Sequence, residues 1–175
     1  MSVDTGAHHW VKSQPSGSVT AACGRRIRFE MYCRQIFDKE PQPMIQPEQI
    51  FTEQVLRGLF PPERANAFFD ALFGDAGEGA YDIALTYAGY DPQANTLDFF
   101  LNLHERPGHC LACNLTYGLP EVFSRHPVIN VKGLVGEIER LLGSDLQCAD
   151  WRLGTTEQTG RSLHRIPLRI QLAKR

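Results

Sequence analysis

The sequence predicts an α+β domain, a largely antiparallel sheet with helices packed on one face. Three observations carry that expectation. Several short segments alternate apolar and polar residues with period two, and others repeat apolar residues at helical spacing. Glycine, proline and acidic clusters punctuate them, and the resulting order is β-α-α-β-β-β-α-β-β. Length agrees: 175 residues suit one domain, able to bury about 70% of its unfolded surface without disulfide or metal.

The elements follow in order. Residues 1–20 are polar and aperiodic and are expected to form a flexible arm, leaving 21–175 as the domain. His8 and His9 in that arm read as solvated side chains. Ile27, Phe29, Met31 and Cys33 alternate with Arg26, Arg28, Glu30 and Arg34, the pattern of a half-buried strand with a charged outer face. After Pro41, Pro43 and Pro47 the period changes. Phe51, Val55, Leu56 and Leu59 fit one helix, with Pro47 near its first position. Pro61-Pro62 ends it, and a second helix carries Ala65, Phe68, Phe69, Leu72 and Phe73 as a core stripe up to a capping Gly74.

A three-stranded meander is expected next. Tyr81, Ile83, Leu85 and Tyr87 line the inner face of its first strand, and Leu97, Phe99, Leu101 and Leu103 that of its second. Leu111, Cys113, Leu115 and Tyr117 would line the third, reached through an Arg106-Pro107-Gly108 turn that sets Leu103 against Leu111 and His104 against Cys110. A loop, GLPEVFSRHP, leads to the clearest helix, with Val131, Leu134, Val135, Ile138, Leu141 and Leu142 inward, Asn130 as its cap and Gly143 as its stop. Two strands close the chain. One holds Ala149, Trp151 and Leu153, and the other Ile166, Leu168, Ile170 and Leu172. Pro167 donates no hydrogen bond, which predicts an edge position for the last strand. The run α-β-β-β-α-β-β is similar to the order in type III secretion chaperones, in element order alone and with no shared motif.

Composition narrows function. A net charge of −2, with acids and bases interspersed, argues against a general nucleic-acid binder. No apolar run is long enough to span a bilayer and no signal-type segment opens the chain, so no membrane association and a cytoplasmic location are expected. Five cysteines in a reducing compartment speak against a disulfide framework.

The stretch His104–Asn114, HERPGHCLACN, is the densest in chemistry. His104, His109, Cys110 and Cys113 supply the donor types of a zinc site, and the C-x-x-C also admits thiol redox chemistry. The strand reading opposes both, because it turns Cys110 and Cys113 to opposite faces with Cα atoms ~10 Å apart. Arg125 and His126, before the main helix, are the candidate pair for an anion. No P-loop, dinucleotide fingerprint, H-E-x-x-H or G-x-S-x-G is present, and no catalytic residue is assigned. The expectation is therefore a non-enzymatic binding or assembly module, acting through a sheet edge or an aromatic surface on a protein partner or a second copy. The alternative is a small zinc-binding or thiol-redox protein centred on His104–Cys113.

Overall fold

The computed structural model describes residues 46–111 and 118–175, all within one compact unit, Met44–Arg175. The expected arm at 1–20 and the strand around Arg26–Arg34 lie outside the described residues. The architecture is α+β, with an antiparallel sheet and helices on one face.

The first expected helix is two. Helix α1 (Pro47–Ile50) stops at Phe51, and α2 (Glu53–Leu59) starts afresh from Thr52, whose Oγ1 accepts from the Val55 amide at 3.4 Å. The interruption delivers Phe51 to the sheet, where it is buried edge-on against Phe99 and tilted against Tyr87. Helix α3 (Glu63–Phe73) ends as predicted at Gly74, in the left-handed region at φ 77°. Its stripe is only partly core. Ala65, Phe68 and Phe69 are buried, whereas Leu72 and Phe73 remain 46% and 61% exposed. The last turn of α3 therefore runs past the core rather than along it.

Strands β1 (Tyr81–Asp91) and β2 (Thr96–Glu105) form the predicted hairpin, pairing Ile83 with Leu103 and Leu85 with Leu101. Asn95, at φ 53°, makes its turn and ties it to the sheet through Nδ2 to Leu172 O at 2.8 Å. The third meander strand is where expectation and structure part. The Arg106–His109 turn forms, with His109 N–H donating to Arg106 O at 3.1 Å and Gly108 at φ 82°. Leu111, however, is helical, and 112–117 lie outside the described residues. The physical reason is occupancy. Strand β5 (Leu163–Lys174) pairs with the other side of β2, setting Leu103 against His164 and His104 against Leu163. No edge of β2 is left for residues 110–111 to join.

Sheet order is β1-β2-β5-β3, with β3 (Leu146–Leu153) and the short β4 (Glu157–Gln158) both on the far side of β5. Strand β5 is thus interior, contrary to the edge position predicted from Pro167. Antiparallel pairing directs both backbone groups of a residue to the same neighbour. Pro167 O accepts from Gly154 N–H at 2.7 Å, so the missing donor faces the gap between β3 and β4, where no ladder bond is lost. Strand β3 also breaks phase. A bulge between Cys148 and Asp150 leaves Ala149 exposed instead of inward, and returns Trp151 and Leu153 to the core side.

The loop expected at 118–127 contains a further helix, α4 (Leu119–Arg125), which buries Leu119 and Phe123. Its Phe123 meets Phe68 at 5.3 Å. Helix α5 (Val131–Leu142) is as predicted, capped by Asn130 Oδ1 accepting from the Gly133 amide at 3.1 Å, with Val131, Leu134, Val135 and Ile138 buried; Leu141 is exposed. These faces close on Leu97, Phe99, Leu101, Ile166, Leu168 and Ile170, each fully buried. The opposite sheet face carries Asp98, Phe100, Asn102, Arg165, Arg169 and Gln171, all at least partly exposed. No described helix is long and apolar enough to cross a membrane.

Candidate functional site

The sequence-predicted ligands do not converge among the described residues. His104 is exposed on the outer sheet face, between Asp82 and Leu163 on the flanking strands. His109 is half-buried in the turn, and Cys110 is exposed. Cys113 lies outside the described residues. No three described His, Cys, Asp or Glu side chains are arranged to hold a metal. Cys110 is disulfide-bonded, so its sulfur is not a thiolate for a metal. It directly precedes helical Leu111, whose amide donates to Glu105 Oε2 at 2.9 Å.

The turn is held by a residue that sequence reasoning treated only as turn chemistry. Arg106 has a side chain 15% exposed; it donates to Asp82 Oδ1 at 2.8 Å, to Ala76 O at 2.8 Å and to Asn66 Oδ1 at 2.6 Å. Its guanidinium also lies over Phe69. Gly79 is necessary beside it, since a Cβ there would come within 2.3 Å of the Phe69 ring and 2.7 Å of Arg106 Nη1. The arginine is a strut between α3, β1 and the turn.

The candidate anion pair, Arg125 and His126, lies at the C-terminal end of α4. Arg125 is exposed, whereas His126 packs edge-on against Phe68 at 4.8 Å and accepts from the Val128 amide through Nδ1 at 3.3 Å. Another histidine emerges only from the structure. His164 is 5% exposed, and its Nδ1 is buried without a hydrogen-bond partner among the described residues.

Two features of the sheet stand out. The first is the contrast between its edges. Glu105 N–H donates to Ser162 O and Arg106 N–H to Ala80 O, which fixes the alternation of the ladder. Tyr81, Ile83, Leu85 and Tyr87 therefore direct their backbone groups away from β2, and among the described residues nothing accepts or donates there. From Ile83 to Tyr90 this edge carries no charged side chain. The β3 edge is blunted instead: it is bulged, it bears Asp150 and Arg152, and its Cys148 amide is taken by Glu139 Oε2 at 3.1 Å. That bond and an ion pair with Arg175 hold the Glu139 carboxyl below its ordinary pKa, while burial and the same carboxylate push the Cys148 thiol up to about 11.

The second is a cavity of about 320 Å³ on the outer face, at the hairpin end of β1–β2, between β5 and β3. Cross-strand pairing aligns its lining residues in two rows, Thr96–Gln171–Asp150 and Arg169–Arg152, with Asp98 opposite Arg169 but outside the lining. Arg169 is anchored by Asp98, with Nε to Oδ1 at 2.6 Å; this bond and charge, with a smaller contribution from Asp91, raise its pKa. Arg152 faces the like charge of Arg169 directly, and among the described residues no carboxylate lies within ion-pair distance of it.

Fold and site together define an α+β domain that, among the described residues, has one sheet face under helices, the other open, and the β1 edge unpaired. Compared with protein-family models, curated proteins and solved structures, the chain matches none.

Proposed function

We propose that the chain is a binding and assembly module that recruits an extended strand along the free edge of β1, with a second copy of itself as the occupant. The single observation behind this reading is the unequal treatment of the two edges. An edge unpaired among the described residues, uncharged from Ile83 to Tyr90 and regular up to the bulge at Tyr87–Gly89, templates strand addition, whereas Asp150, Arg152 and the Glu139 bond to the Cys148 amide suppress it on β3. Antiparallel self-pairing about a two-fold axis at Leu85 would set Ile83 of one copy against Tyr87 of the other and bring no like charges together in that stretch. Sedimentation equilibrium with amide exchange tests this. A dimer is expected in which the Ile83 and Leu85 amides are protected, and Ala84→Lys should return it to a folded monomer whose melting temperature no longer depends on protein concentration. A monomer at all concentrations, with both amides exchanging fast, would remove the proposal.

A second reading has its own observation. Cys110 is exposed, disulfide-bonded and placed next to a helical residue, a setting that suits thiol–disulfide exchange. Equilibration in graded glutathione buffers, with thiols trapped and weighed intact, decides it. Reversible opening of the Cys110 disulfide supports a redox role, and resistance to excess reduced glutathione eliminates it.

A further inference from the structure

We propose that the outer-face cavity is a binding site for a small zwitterion of dipeptide length, with its carboxylate on Arg152 and Arg169 and its ammonium on Asp150. The site is distinct from the β1 edge and does not depend on it.

Most polar atoms of the lining are already used. Arg169 gives Nε and Nη2 to Asp98, leaving Nη1. The Gln171 amide nitrogen donates to the Ala94, Asn95 and Leu172 carbonyls, leaving Oε1 as an acceptor. Asp91 Oδ1 caps its own turn, accepting from the Gln93 and Ala94 amides. Arg152 and Asp150 take part in no hydrogen bond or ion pair among the described residues, although both line the cavity. One free cation and one free anion thus stand on the same strand and face the same space.

Arg152 stands directly opposite Arg169, a like-charge pairing that is unfavourable in a sheet, and Asp98 engages only Nε and Nη2 of Arg169, leaving Arg152 with no carboxylate among the described residues. A carboxylate there would accept from both guanidiniums, with bonds stronger than neutral ones. Net charge then selects among anions. Asp91 and Asp150 balance Arg152 and Arg169 across the lining, so a phosphate dianion would gain two cations but meet two carboxylates. A zwitterion meets its complement at both ends. Spacing adds a length. Asp150 and Arg152 are two residues apart on β3, about 6.6 Å along the strand, and the termini of an extended dipeptide are separated by about 7 Å. The volume falls at the lower end of the ~300–1,000 Å³ typical of small-molecule sites, which suits a ligand of that size.

Isothermal titration of the full chain with L-alanyl-L-alanine tests the proposal, alongside its N-acetylated form, its C-terminal amide and inorganic phosphate. Saturable dialanine binding is expected, weakened about tenfold by blocking either terminus. Asp150→Asn should weaken dialanine and abolish discrimination against the acetylated form, while Arg152→Gln should abolish discrimination against the amide. Both side chains are exposed, and an unchanged amide spectrum verifies the fold of each variant. No saturable heat at millimolar dialanine, tighter binding of phosphate, or unaltered discrimination in both variants would each overturn it.

Discussion

Arg106 shows how far one side chain can organise a turn. Three of its hydrogen bonds reach Asp82, Ala76 and Asn66 on separate elements, in a forked geometry that lysine cannot reproduce. Arg106→Lys is expected to lower stability by about 2–3 kcal/mol, measured by urea unfolding. His164 makes the opposite case. Its buried Nδ1 has no partner among the described residues, so His164→Leu should leave stability unchanged or raise it by about 1 kcal/mol in the same assay. Neither role was legible in the sequence. The turn residues announced a turn, but which distant carbonyls Arg106 would meet depended on how α3 and β1 pack. Cys110 was legible as chemistry and not as geometry, since a C-x-x-C is equally compatible with a strand and with a helix start.

At the scale of elements, periodicity served well where one face is buried and failed where partners were chosen over long range. The hairpin of β1 and β2, helix α5 and the stop at Gly74 all follow from local pattern and capping. A third meander strand could not pair with β2 because β5 holds the edge it needed, a competition that alternation alone does not reveal. Pro167 misled for a similar reason: its missing donor points to a gap between two short partners, an arrangement invisible without them. The cap of α5 yields a clean test. Asn130 stands at φ 48° and accepts from Gly133, so Asn130→Ala loses the cap and strains a left-handed backbone. A loss of about 1–2 kcal/mol is expected, with Asn130→Gly costing markedly less, both read from thermal unfolding.

For the whole molecule, acid is the informative perturbation. Glu139 on α5 binds the Cys148 amide of β3 and the guanidinium of Arg175 near the C-terminal end, so one carboxylate joins three parts of the chain. Its pKa is depressed, first by the backbone bond and then by Arg175. A depressed carboxylate contributes stability that is complete above its unfolded value near 4.5 and lost as pH falls through the lower folded value. Glu139→Gln should therefore flatten the acid limb of a stability-versus-pH curve below that value, with little change in its shape at pH 7–8. The Cys148 thiol, raised to about 11, should resist iodoacetamide at pH 8 until the protein unfolds, as mass spectrometry of trapped peptides would show.

The place of β5 between β2 and β3 also governs the order in which the sheet can be completed. The hairpin of β1 and β2 is local and can close early, whereas β5 is drawn from the last residues of the chain and pairs with positions about 70 residues earlier. Contacts of such separation are slow to form. Until Leu163–Lys174 is synthesised and docked, β2 keeps an open, strongly apolar edge and β3 has no partner strand among the described residues. A chain ending before Leu163 should therefore accumulate as aggregate rather than as a smaller folded domain. The C-terminal strand acts as the closing member on which both halves of the sheet wait.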